Sequence, residues 1–226
     1  MTAPRLKVFP DRASATAWLV DTFAQQHRIA PRPVTYLMPG GTTPRPFLEG
    51  IAALELDWGQ TSLFPTDERV VPLASDRSNY RLLRNCLGAT GANIQSLYHP
   101  RTGAQGSVDF LNDRPFAPVR LAVLGLGEDA HTASLFPGQP QNLAANGNAF
   151  LTRNPHDGTQ RISLTYRLLA QAEAIYFFFF GAAKQAALRH LWSENYQPLH
   201  YPAQWFVRHF RGRLTLVTDE AAARPV

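Results

Sequence analysis

The sequence predicts an α/β fold, one domain over residues 1–226 with a mostly parallel sheet covered by helices on both faces. Short apolar stretches alternate with longer amphipathic ones, the order that parallel strands joined by crossover helices require. The run Ile175-Tyr176-Phe177-Phe178-Phe179-Phe180 has no polar alternation and stops at Gly181, as a central strand buried on both faces does. Glycines also follow several of the apolar stretches, at the strand ends where a parallel sheet opens toward ligands.

The elements follow in order. A helix is expected at 12–26, then an apolar strand at 34–38. A helix at 44–53 starts on Pro44, whose fixed φ suits a first turn, with Thr43 as a capping hydroxyl. A strand at 62–66 precedes a helix at 78–86 capped by Ser78. Strands at 120–125, 161–165 and 174–180 come next, then a helix at 182–192, a strand at 214–218 and a short helix after Asp219. Residues 101–113 and 137–158 collect Gly, Pro, Asn and Gln and read as loop insertions.

Composition narrows the function. Hydrophobic residues at 45% and charged residues at 17% describe a chain that folds around a core. Its longest apolar run, residues 174–180, is far short of the roughly 20 residues that span a bilayer, so no membrane role is expected. The amino-terminal residues show no apolar signal region, and a cytoplasmic location is the expectation. The lone Cys86 excludes an internal disulfide or a thiolate metal cluster and reads as a small buried hydrophobe. The net charge of +5 comes from scattered arginines, with no basic stripe of the kind that binds nucleic acid. It fits attraction for small anions. Only Lys7 and Lys184 are lysines, which singles out Lys184.

Three strand ends carry the chemistry. At the first, Met38-Pro39-Gly40-Gly41-Thr42-Thr43-Pro44, the glycines let backbone N–H groups approach an anion near a helix start. A capped turn without a ligand also explains it. A P-loop lysine is missing, so nucleoside triphosphate hydrolysis is not supported. At the second, Asp67-Glu68-Arg69, one carboxylate can face the crevice while the other pairs with Arg69. Acid/base work, arginine positioning and a surface charge cluster all fit. Asn79, just downstream, can hydrogen-bond back to a loop.

The third end, Gly125-Leu126-Gly127-Glu128-Asp129-Ala130-His131, places a histidine beside two carboxylates. Pro137, Gly138 and Pro140 stop the helix that a dinucleotide fingerprint needs, so a Rossmann cofactor site is not expected. What is left is an imidazole that a carboxylate can hold in one tautomer. The six other histidines have no comparable surroundings. Lys184, at a helix start after Gly181, opposes the helix dipole unless an anionic substrate holds it or it bends into solvent.

These residues, with Ser78-Asn79-Tyr80, Arg161-Ile162-Ser163-Leu164-Thr165 and the stretch from Gly125 to Gly138, resemble the 6-phosphogluconolactonases in order and spacing. The most specific part is Gly-Glu-Asp-Ala-His-Thr-Ala-Ser-Leu-Phe-Pro-Gly at 127–138. The related glucosamine-6-phosphate deaminases share the glycine and acidic landmarks but continue differently after the histidine. Ala130 stands where the family usually has glycine, and Pro39 where a small residue is common. The resemblance implies a Rossmann-like fold of the deaminase type and hydrolysis of 6-phospho-D-glucono-1,5-lactone to 6-phospho-D-gluconate.

It implies His131 as base and then acid, oriented by Asp129 or Glu128, and Asp67 lining the sugar side. Gly40, Gly41, Thr42, Thr43, Arg69, Asn79, Arg161 and Lys184 are the candidates to bind the phosphorylated substrate. No metal or cofactor is expected, the partner is a small sugar phosphate, and the assembly is a monomer or homodimer. Two other readings stay open: a sugar-phosphate isomerase or deaminase with Asp67 as base, and a non-catalytic sugar-phosphate-binding domain.

Overall fold

The structure, a computed structural model, describes residues 3–224; the first two and last two residues of the expected 1–226 unit lie outside the described residues. In chain order the elements are β1 (Arg5–Phe9), α1 (Arg12–Arg28), β2 (Val34–Met38), α2 (Arg45–Ala52), β3 (Thr61–Pro65), β4 (Asp67–Arg69), α3 (Asn79–Leu87), β5 (Asn93–Ile94) and α4 (Gly103–Asp113). They continue with β6 (Val119–Leu124), α5 (Gln141–Ala144), β7 (Ala149–Arg153), β8 (Gln160–Leu164), α6 (Tyr166–Leu169), β9 (Ala174–Phe178), α7 (Gln185–Trp192), α8 (Gln204–His209), β10 (Arg213–Asp219) and α9 (Glu220–Ala223).

Seven strands form one parallel sheet in the order β1-β10-β9-β6-β2-β3-β5. The chain builds outward from β2 through β3 on one side and from β6 through β9 on the other. The loops leaving β2 and β6 therefore diverge, and a crevice opens between them at the strands' carboxyl ends. The aromatic run behaves as expected of β9. Ile175 and Phe177 enter one core while Ala174, Tyr176 and Phe178 enter the other, so alternate residues serve opposite faces and no polar position remains. Each large side chain fully buried this way contributes about 1.5–3 kcal/mol. Helices α1, α2 and α3 supply Leu19, Phe23, Phe47, Leu48, Ile51 and Leu83 to the second core, and α4, α6, α7 and α8 cover the first.

Several expectations need correction. Residues 161–165 do not join the parallel sheet: β8 pairs antiparallel with β4 and β7 in a separate three-stranded sheet. The stretch 101–113 is helical over α4, because Ser107, Val108 and Leu111 fall on one face and bury it despite the flanking glycines. The segment 137–158 likewise holds α5 and β7. Strands β1, β4 and β5 and helices α6 and α8 were not foreseen; β1 is a mostly exposed edge strand and β4 is wholly polar. Pro44, not Thr43, caps α2, and no side chain bonds there. Ser78 does cap α3, accepting from the Arg81 N–H. Lys184 sits in a 3-10 turn, Ala182–Lys184, that precedes α7. Cys86 is half-buried and free. Among the described residues no helix is long and apolar enough to cross a membrane.

Candidate active site

A cavity of about 340 Å³ lies at the crevice, and the loop after β2, the strand β4, the turn after β6, the β7–β8 turn and Lys184 all line it. Alternation within the small sheet explains who faces it. Asp67 and Arg69 are two residues apart on β4 and share the cavity face, while Glu68 points the other way. Directly across the ladder, Arg161 pairs with Arg69 and Ser163 with Asp67.

Glu68 is thereby removed from the site. It is fully buried, and its carboxylate accepts from the backbone N–H groups of Arg69, Asn79 and Tyr80 at 2.7, 2.8 and 2.7 Å and from the Ser78 hydroxyl at 3.0 Å. The expected pairing of Glu68 with the Arg69 side chain does not form. Arg69 instead donates to the Arg77 carbonyl and to Asn79 Oδ1. Asp67 accepts from Asn79 Nδ2 at 3.1 Å and from the Ser134 hydroxyl at 2.5 Å, and lies 3.6 Å from Arg161 Nη1. Gly40 is required here: a Cβ on it would come within 2.0 Å of the Asn79 amide that braces Asp67.

His131 stands on the turn after β6. Asp129 Oδ1 accepts from both its ring Nδ1, at 2.6 Å, and its backbone N–H, at 3.1 Å. A carboxylate only accepts, so Nδ1 carries a proton, and in the neutral imidazole Nε2 is left with the lone pair. Burial raises the Asp129 carboxyl, but the hydrogen bond and charge of His131 outweigh it and hold the group at about 2. Glu128 is exposed, so Asp129 is the carboxylate that orients the ring. Gly127 lets the turn close, since a Cβ there would lie 2.1 Å from His131 Nδ1. Ala130 occupies the left-handed region at φ 61° and is fully buried. That conformation costs an alanine about 1–2 kcal/mol, and it is tied by bonds from Ala130 N–H to the Gly127 carbonyl and from Ala203 N–H to the Ala130 carbonyl.

The structure thus brings together at the cavity Gly40, Gly41, Asp67, Arg69, Asn79, His131, Arg161 and Lys184. Thr42, Thr43, Glu128 and Asp129 do not line it. A smaller adjoining cavity of about 120 Å³ is walled by Gly40, Thr43, Phe180 and Lys184 among others. Arg69 Nε, Arg161 Nε and Thr132 Oγ1 are buried with no hydrogen-bond partner. Sequence reasoning missed Ser134, Asn154 and His156. His156, on the β7–β8 turn, approaches Asp129 Oδ2 to 3.9 Å, so one other histidine does share the surroundings of His131. No spacing signal links positions 129 and 156; only the antiparallel pairing of β7 with β8 brings the turn over the site. Among the described residues no group of three or more His, Cys, Asp or Glu side chains is placed to hold a metal ion.

A parallel α/β sheet with an oriented imidazole and clustered cations at its switch point is the architecture of an enzyme acting on a small anionic substrate. The sequence pattern of the family described as glucosamine-6-phosphate isomerases/6-phosphogluconolactonase matches residues 11–216, and the chain belongs to that family. It is 32% identical over 204 residues to a 6-phosphogluconolactonase of Synechocystis sp., covering 83% of this chain and 82% of that one. It is 37% identical over 166 residues to a 6-phosphogluconolactonase of Pseudomonas putida, covering 68% of this chain and 67% of the relative. In fold it matches the crystal structure of a 6-phosphogluconolactonase from Shewanella baltica with a TM-score of 0.87 at 23% identity, over 96% of this chain and 98% of the other.

Proposed function

We propose that the protein hydrolyses 6-phospho-D-glucono-1,5-lactone to 6-phospho-D-gluconate, with His131 as the proton carrier. The observation that carries this is the Asp129–His131 pair, which leaves a basic Nε2 on a ring that lines a cationic cavity. A lactone already holds its electrophilic carbonyl, so the reaction needs an activated water and a proton for the departing ring oxygen. Nε2 takes a proton from water as its oxygen bonds to the carbonyl carbon. The tetrahedral oxyanion then collapses, the ring C–O bond breaks, and the imidazolium returns the proton to the ring oxygen. Asp129 steadies the transient imidazolium without taking its proton.

The phosphate is anchored by Lys184, the Gly40-Gly41 backbone, Arg69 and Arg161. This remote binding fixes the carbonyl near His131. Asp67 is a positioning group. Its oxygens are engaged by Asn79 and Ser134 with Arg161 close by, which speaks against the isomerase or deaminase reading, where Asp67 must be free to take a substrate proton.

Freshly generated lactone, with spontaneous hydrolysis subtracted, tests the activity; a rate equal to the spontaneous one would overturn it. Product inhibition tests the anchor. Lys184→Ala and Arg161→Ala should each weaken 6-phosphogluconate by about tenfold or more while gluconate binding stays nearly unchanged, since a lost charge-assisted contact is made equally in substrate and product. A variant that keeps the full preference for the phosphorylated ligand would exclude its residue from the anchor.

A further inference from the structure

The loop that carries Gly40 and Gly41 has little holding it from its own sequence. Helix α2 has no side-chain cap and no acidic residue in its first turn, and the Thr42 carbonyl receives only a long 3.4 Å bond from the Arg45 N–H within the loop. The strongest contact comes from thirty residues away. Arg12, the first residue of α1, donates through Nη2 to the Thr43 carbonyl at 2.7 Å and to the Thr42 carbonyl at 3.2 Å. Among the described residues Arg12 belongs to no ion pair, so its charge is spent on these two carbonyls and on a ring: its guanidinium carbon lies 5.8 Å from the centroid of Phe180. Phe180 directly precedes Gly181, whose φ of 90° starts the turn that carries Lys184.

Arg12 therefore touches both walls of the smaller cavity, the Gly40–Thr43 side and the Phe180–Lys184 side. Peptide geometry gives the contact a direction. In a trans peptide the carbonyl and the following N–H point oppositely, so a Thr42 carbonyl drawn toward Arg12 turns the Thr43 N–H away from Arg12. The guanidinium also offsets the partial negative charge of two carbonyls that would otherwise repel an anion nearby.

We propose that Arg12 is a positioning residue for the phosphate anchor: without entering the cavity, it holds the glycine loop and the Lys184 turn at the separation and orientation that a phosphate monoester needs. This rests on the lactone-hydrolysis reading above, and the test separates the two. Wild type, Arg12→Lys and Arg12→Gln are compared for inhibition by 6-phosphogluconate and by gluconate, for KM and kcat on the lactone, and for melting temperature.

In wild type the phosphorylated inhibitor binds much more tightly. In Arg12→Gln about tenfold of that advantage is lost, gluconate inhibition stays within about twofold, and KM rises with kcat nearly constant, the pattern of lost uniform binding. Arg12→Lys, which keeps the charge but not the planar guanidinium that bonds both carbonyls through Nη2 while lying beside the Phe180 ring, falls between. A merely structural Arg12 would lower the melting temperature of both variants and leave the inhibitor ratio intact, and that result overturns the proposal. Should Arg12→Gln fail to fold, the ratio in Arg12→Lys decides in the same way. Equal inhibition by the two ligands in wild type would instead overturn the substrate reading itself.

Discussion

Replacing His131 with alanine should give a folded protein that still binds 6-phosphogluconate and turns over the lactone about a hundredfold or more slowly, the scale of a lost acid/base group. The side chain is part-exposed in the cavity with its ring beside Phe136, and the loss is expected on kcat. Its pH dependence is also constrained. Asp129 is held at about 2, so it stays ionised through any ordinary acid limb. Asp129→Asn, which removes the carboxylate that orients the ring, should lower turnover. Near-normal turnover in folded His131→Ala would falsify the assignment.

Glu68→Ala should be the most damaging change to stability near the site. It strips the acceptor from three backbone N–H groups and from the Ser78 hydroxyl in a fully buried place. Each buried donor left unpaired costs about 1–3 kcal/mol, and shared relaxation keeps the total below their sum, so about 3–5 kcal/mol is expected. Burial raises the Glu68 carboxyl against the pull of those N–H groups, so a neutral side chain of the same shape is tolerated better. Glu68→Gln keeps one carbonyl oxygen for its donors and should lose roughly half as much. Denaturant midpoints for the two variants measure this; an unchanged midpoint in Glu68→Ala would show that α3 is fixed by other contacts.

Legibility in the sequence followed burial. Strands β2, β6 and β9 lie inside a parallel sheet, so both faces must be apolar and the residues announce it. Strand β4 is Asp67-Glu68-Arg69, three polar residues whose partners are supplied by the fold, and nothing in their hydropathy separates them from a charged loop. Read with a period of two, however, Asp67 and Arg69 share one face and Glu68 the other, which is how the structure divides binding from support. The site was legible where one strand end gathers its chemistry, as at Gly127 to His131. It was not where two distant segments meet, as with His156 over Asp129, Ser134 on Asp67, or Arg12 beneath the glycine loop. The choice between Asp129 and Glu128 also needed the turn, because the left-handed Ala130 bends the chain so that only Asp129 meets the ring.

The ladder between β4 and β8 sets Arg69 directly opposite Arg161. Like charges facing each other across strands work against the sheet, and burial pushes the Arg161 guanidinium below its ordinary value although Asp67 pulls it back. On the proposed anchoring, a bound dianion would turn that repulsion into shared attraction and link occupancy to folding: at a hundredfold excess over Kd a ligand adds about 2.7 kcal/mol to stability. Melting temperature should climb with 6-phosphogluconate, while Arg161→Gln should respond far less to it. If the variant responds as wild type does, the paired arginines are not the source. On the proposed anchoring, the folded fraction of the protein would rise with occupancy of the cavity, a stability set by ligand supply through two facing side chains.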